Sequence, residues 1–198
     1  MVAEQTHSTA SDNNRFKDFM IDIETSGLNP GRHAMIQLSA VPFNLATQEV
    51  AAQFYDSYLM IPPWRSFDID TLQWWLSKNR NVYEHICSKQ SDIIAALVGF
   101  AEFVAAFKPE GVRPNFWMKR PFDWMFVESY FKDFEIPCPF HYQNVIEMTS
   151  YLKGTVLSDG TPNVVGLVRE GEAHNAYWDC KNQINLLFGA INQELNRP

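Results

Sequence analysis

The triplet Asp22-Ile23-Glu24 ends an apolar run, Phe19-Met20-Ile21, and leads into Thr25-Ser26-Gly27. The run predicts a β-strand entering a turn, and side chains two apart on a strand share a face. Asp22 and Glu24 then present two carboxylates together, with Met20 on their face and Ile21 and Ile23 on the opposite one. Two anions side by side cost stability unless a cation sits between them or one keeps its proton. A divalent-metal site or an acid–base pair is the functional reading. A solvated strand end is the plain one, and the triplet alone does not decide between them.

The remaining chain bounds the setting of that strand. With 198 residues, 46% apolar and 14% aromatic, it can bury a sizeable core, and its length suits one α/β domain. Residues 1–15 read as a polar, disordered leader and residues 16–198 as the domain; no apolar run is long enough to span a bilayer. A net charge of -7 argues against a broad electrostatic grip on duplex nucleic acid, although acids gathered around metal ions would be neutralised locally. Cys87, Cys138 and Cys180 have no paired spacing, so they read as free thiols in a reducing, cytoplasmic setting and give no zinc pattern.

Along the chain, the turn formers between Thr25 and His33 predict a hairpin-like return into a second strand over 35–41. A third strand is expected over 50–58, so the first unit is antiparallel β. A short helix from Thr71 carries Leu72, Trp74, Trp75 and Leu76. A longer one over 91–107 buries Ile94, Leu97, Val98, Ala101, Val104 and Ala105 by its i, i+3, i+4 spacing. Of Trp74 and Trp75, about 100° apart on a helix, at most one faces a ligand, and packing is preferred for the pair. A strand at 115–118 precedes Lys119-Arg120-Pro121-Phe122-Asp123, where proline and Asp123 suit a helix N-terminus whether or not the acid has a further role. That helix shows Phe122, Met125, Phe126, Tyr130 and Phe134 on one stripe and ends before Pro137. Residues 142–151 fit either a short strand or a helix. A loop over 154–171 leads to His174 and to Asn175, a plausible N-cap for a C-terminal helix bearing Asp179.

Asp22, Glu24, Asp123, His174 and Asp179, in that order and with five residues from His174 to Asp179, resemble the motifs of the DEDDh 3'-5' exonucleases. These belong to the ribonuclease H-like clan, with the proofreading exonuclease domains, ribonuclease T and oligoribonuclease. The segment Thr71-Leu72-Gln73-Trp74-Trp75-Leu76 and the pair Phe122-Asp123 are similar to the DexA-like branch, which holds phage exonucleases and a mycobacterial 3'-5' exoribonuclease. The likeness spans residues 17–195. Met118-Lys119-Arg120-Pro121 lacks the glycines common in that branch, and a bulky Trp178 precedes Asp179.

The resemblance implies a mixed α/β sheet flanked by helices, and hydrolysis of single-stranded RNA or DNA 3' ends to nucleoside 5'-monophosphates, RNA slightly favoured. It implies two Mg²⁺ or Mn²⁺ ions: Asp22, Glu24 and Asp179 around the ion carrying the water, Asp22 bridging to the second, and Asp123 reaching that one partly through water. His174 is implied as general base. Thr25 and Leu28 are implied at the terminal nucleotide. Lys119, Arg120 and Arg169 are the nearest basic candidates for phosphate, and each also reads as solvated surface charge. The resemblance further allows a homodimer. His7, His33, His85 and His141 match no motif. The rival readings are a catalytically silent nucleic-acid-binding or assembly module, whose usual mark is a missing acid, and a metal-dependent phosphatase acting on small substrates.

Overall fold

The computed structural model describes residues 15–155 and 168–195. Of the leader expected over residues 1–15, all but Arg15 lies outside this range, as do residues 156–167 of the loop expected over 154–171.

Six strands form one mixed sheet: β1 (Asp18–Thr25), β2 (Met35–Asn44), β3 (Glu49–Val50), β4 (Tyr55–Tyr58), β5 (Asn115–Met118) and β6 (Val145–Glu147), with β1 central. The antiparallel half is β1 with β2 and β2 with β3 and β4; β5 runs parallel to both β1 and β6. Helices α1 (Ile69–Lys78), α2 (Arg80–Ser88) and α3 (Ile93–Phe107) follow the antiparallel half. Helix α4 (Phe122–Asp133) follows β5, α5 (Met148–Thr155) follows β6, and α6 (Ala176–Leu195) closes the described chain. This is the α/β, ribonuclease H-like architecture expected from the sequence.

Alternation along β1 sorts its side chains into two layers. Phe19, Ile21 and Ile23 enter a core with Leu97, Phe100 and Val104 of α3 and Phe126 and Tyr130 of α4. Met20, on the other face, packs with Trp117, Met148 and Leu152 and with Cys180, Ile184 and Leu187 of α6. The expected positions of Met20, Ile21 and Ile23 are therefore observed, and the face of Asp22 and Glu24 is the one α6 covers. A third apolar cluster, built on Ile36, Trp75, Val82 and Ile86, seats α1 and α2.

Three expectations need correction. The third strand is two strands, because Pro42 has no N–H with which to continue the ladder. Ala51 N–H donates to the Pro42 carbonyl at 2.9 Å, and while β2 retreats from Phe43 to Ala40 its partner advances from Val50 to Tyr55, which throws out residues 51–54. The buried stripe of α3 is turned from the expected one: Ile93, Ala96, Leu97, Phe100, Val104 and Phe107 point inward, while Ile94 and Val98 are 52% and 39% exposed. A stripe so broadly apolar leaves its facing to be set by where the helix meets the sheet. On α4 the buried set is Asp123, Phe126, Val127, Tyr130 and Phe131, and Met125 is exposed. Residues 142–151, open between strand and helix, contain a 3₁₀ turn at Tyr142–Asn144, then β6, then the start of α5, which continues to Thr155.

Candidate active site

The site lies where β1 and β5 part. Their parallel pairing ends at Met20 and Trp117, so the next turn of β1 has no partner strand on that side. Helix α4 fills the gap: the Asp123 carboxylate, in its first turn, accepts a hydrogen bond from the Ile23 backbone N–H. Crevices at the carboxyl ends of parallel strands are recurrent ligand sites, because the diverging strands leave backbone groups and side chains pointing into open space.

Helix α6 brings the remaining acid. Asn175 caps it as expected: its Oδ1 accepts from Trp178 N–H at 3.4 Å, and its carbonyl accepts from Asp179 N–H at 2.9 Å. Asp179 thus sits in the first turn, and Gln183, one turn later on the same face, donates from Nε2 to Asp22 Oδ1 at 2.6 Å. Burial, followed by the neighbouring charges of Asp123, Glu24 and Asp179, pushes the Asp22 carboxyl well up, and Gln183 holds it down in part. Glu24 is likewise raised by burial and then by Asp179 and Asp123, against a lowering by Arg169. Asp123 is pushed up to about 7, burial first, with Asp179 adding to it. Four carboxyls from β1, α4 and α6 therefore share one electrostatic field.

Donor atoms of Glu24, His174 and Asp179 all lie within 4.8 Å of one another. His174 occupies the left-handed region at φ 59, which is uncommon outside glycine, and its ring meets the edge of Trp74 at 4.7 Å between centroids. An oxygen-rich donor set under mutual repulsion fits a hard divalent cation, which would relieve the repulsion. The site has the capacity to hold one.

Two clefts flank the acids. One, of about 560 Å³, is lined by Glu24, Thr25, Leu28, Trp74, Trp75 and Phe122 among others. The other, of about 350 Å³, is more polar and includes Asp22, Lys119, Arg169, His174, Asp179 and Gln183. Trp74 and Trp75 divide as the helical spacing required. Trp75 is 1% exposed and donates its indole N–H to the Thr25 carbonyl at 3.2 Å, while Trp74 is 38% exposed and faces the cleft. Leu28, 79% exposed, projects at its entrance. Lys119 reaches the polar cleft; Arg120, also exposed, lines neither. Trp178, the bulky residue before Asp179, packs beneath Gly171, where φ is 64 and any side chain would overlap the indole.

Several supporting residues had no motif to reveal them. Asp56 accepts from Ser39 Oγ at 2.5 Å, Gln37 Nε2 at 2.8 Å and Tyr58 OH at 3.0 Å. With its amide nitrogen so committed, Gln37 offers Oε1 to the Ala176 N–H at 3.2 Å and latches the start of α6 to the sheet. Tyr58 also meets the Asn175 side chain and, at 3.2 Å, His85 Nε2. On the other side, buried Arg65 donates to the Pro30 and His33 carbonyls, to Ser129 Oγ at 3.1 Å and to Asp133 at 2.6 Å, and lies 4.3 Å from the Tyr130 ring centroid. It ties the turn after β1 to α4. His33 itself packs on Gly27, which has no side chain to obstruct it, and accepts from Asn29 N–H at 3.1 Å. The period-2 alternation of Gln37 and Ser39 on β2 is a sequence signal that could have placed polar groups under α6.

Among curated proteins none matches the chain. Its fold is similar to solved nucleases at low sequence identity. Cell-death related nuclease 4 superposes with a TM-score of 0.66 at 16% identity, over 91% of this chain and 66% of that one. The nuclease domain of 3'hExo, a DEDDh family member, bound to rAMP, gives 0.62 at 13%, over 91% and 94%. The zinc-bound form of the E. coli ExoI–ssDNA complex gives 0.66 at 13%, over 90% of this chain but 41% of that one. The chain thus spans under two thirds of the first and last of these proteins. The likeness establishes the shared fold, and a family match extends over residues 17–189: the chain belongs to the family of the 3'-5' exoribonuclease Rv2179c-like domain.

Proposed function

We propose that this protein is a metal-dependent 3'-5' exonuclease of the DexA-like branch, releasing nucleoside 5'-monophosphates from single-stranded 3' ends, RNA slightly favoured over DNA. One observation carries the reading: Asp22, Glu24, Asp123 and Asp179 converge from three elements on one crevice, with His174 beside two of them. A silent binding module would not need to retain a repelling acid cluster. Two Mg²⁺ or Mn²⁺ ions, held by the four carboxylates, would neutralise phosphate charge and acidify the attacking water. His174 takes that water's proton at a ring nitrogen, kept beside Glu24 and Asp179 by its left-handed backbone and the Trp74 edge. The larger cleft receives the terminal nucleoside against Thr25, Leu28, Trp74 and Phe122; Lys119 faces the phosphate side.

Free Cys87, Cys138 and Cys180 support a reducing, cytoplasmic setting. Among the described residues no helix is long and apolar enough to cross a membrane.

The test uses matched single-stranded RNA and DNA carrying a 3' label, with Mg²⁺ or Mn²⁺. Stepwise monophosphate release is expected, faster on RNA; release of inorganic phosphate from small substrates alone would refute the reading. Asp22→Ala should abolish the release in a folded protein, and retained metal-dependent hydrolysis would sink the assignment. His174→Ala should lower turnover by about 10²- to 10⁴-fold, the usual contribution of a positioned acid–base group, while Mn²⁺ binding persists.

A further inference from the structure

Arg169 is ion-paired through Nη2 to Asp179 Oδ1, and its charge also acts on Glu24. Of the residues lining the polar cleft, Lys119 and Arg169 are the cations, and Arg169 is the one in contact with an acid of the cluster. Its mount is fixed. Asn182 grips the neighbouring Glu170 backbone from both sides, Oδ1 accepting from its N–H and Nδ2 donating to its carbonyl, each at 2.9 Å. The Glu170 side chain pairs with Lys181 at 3.2 Å, and Gly171 sits against the Trp178 indole. All three anchors belong to α6, the helix that carries Asp179. The backbone that follows Arg169 is therefore tied to the helix that carries Asp179. With its side chain half exposed, Arg169 has room to turn within the cleft.

Carboxylate and phosphate present the same paired oxygens to a guanidinium fork. We propose that Arg169 is an internal counter-ion which holds Asp179 in the metal-free site, yields it to a divalent cation, and then clamps a phosphate of the bound strand. The proposal rests on the metal-dependent nuclease reading. It assigns Arg169 two opposing effects: it competes with the metal and assists the nucleotide. A residue that merely stabilised the loop would help both or neither.

Calorimetry on the full chain separates these outcomes, with Mn²⁺ alone and then with adenosine 5'-monophosphate in saturating Mn²⁺ as probes. Arg169→Ala should bind Mn²⁺ about fivefold more tightly, as expected for loss of a partly exposed competing charge. It should bind the monophosphate about tenfold more weakly, as for loss of a charge-assisted hydrogen bond. Arg169→Lys should restore most of the competition with Mn²⁺ and less of the phosphate affinity, since ammonium lacks the fork. Mn²⁺ affinity that is unchanged or weaker in Arg169→Ala overturns the counter-ion role, and unchanged monophosphate affinity overturns the clamp. Failure of the parent reading looks different: the wild-type protein would then bind no Mn²⁺, or bind it equally well as Asp179→Asn.

Discussion

Asp123→Asn should stabilise the metal-free protein, and the gain should depend on pH. The Asp123 carboxyl rises from 3.8 to about 7, chiefly through burial. A carboxyl with a raised folded-state pKa binds its proton more tightly folded than unfolded, so stability falls as pH climbs between those two values and levels off above the higher. Ionising it in place costs up to about 4 kcal/mol at pH 8, at ~1.4 kcal/mol per pH unit; at pH 5 less than half of that penalty has developed. Asparagine keeps an oxygen to accept the Ile23 N–H but must bury an amide N–H₂, which cancels part of the gain. A net ~2 kcal/mol at pH 8 raises the melting temperature by about 4–8 °C for a chain of this size; at pH 5 the same amide cost offsets the smaller gain of under ~2 kcal/mol, so the melting temperature should barely move. The assay is thermal unfolding followed by circular dichroism in chelator at both pH values, repeated with Mn²⁺ at pH 8. There the wild-type protein should recover the lost stability and the variant much less of it. Destabilisation of the variant at both pH values, or a gain independent of pH, would refute the reasoning.

Two further predictions concern the supports of the site. Arg65→Ala removes a buried cation bonded to two carbonyls, Ser129 and Asp133, and should cost about 1–3 kcal/mol, the cost of leaving buried acceptors without their donor, since Asp133 itself keeps contact with solvent; a urea midpoint corresponding to less than 1 kcal/mol of loss would contradict it. Gln37→Leu leaves the Ala176 N–H without its acceptor and Asp56 short of one donor, at a cost of about 1–3 kcal/mol. Because the latch sets α6 rather than touching substrate, turnover should fall with KM nearly unchanged, and a change confined to KM would show that Gln37 meets the nucleotide instead.

What was readable in the sequence was what chemistry and periodicity write locally. The strand alternation put Asp22 and Glu24 on one face, and α6 covers that face. Proline and Asp123 marked the start of α4, and Asn175 marked the cap that fixes Asp179. What was not readable depended on facts from elsewhere in the chain. Residues 51–54 leave the sheet because of a missing N–H at Pro42, on a different strand. The facing of α3 follows from the sheet it meets, since apolar residues on several sides satisfy more than one orientation. Arg65 and Asp56 looked like ordinary charged residues, because the groups that bury and satisfy them come from segments up to 68 and 19 positions away.

Those long-range bonds explain how an unfavourable cluster is held together. The acids repel one another, so the metal-free fold would relax by moving α4 and α6 away from β1. Arg65 opposes the first movement by fastening α4 to the turn after β1. The Asp56–Gln37 latch and the Gln183–Asp22 bond oppose the second. All three restraints use hydrogen bonds in buried or part-buried surroundings, where an unpaired group is costly and partners are therefore hard to part. The crevice is thus assembled before any cation arrives, and binding can draw on stored repulsion instead of first having to order the chain. On this reasoning, loosening either restraint should weaken metal binding even though neither Arg65 nor Gln37 is a ligand.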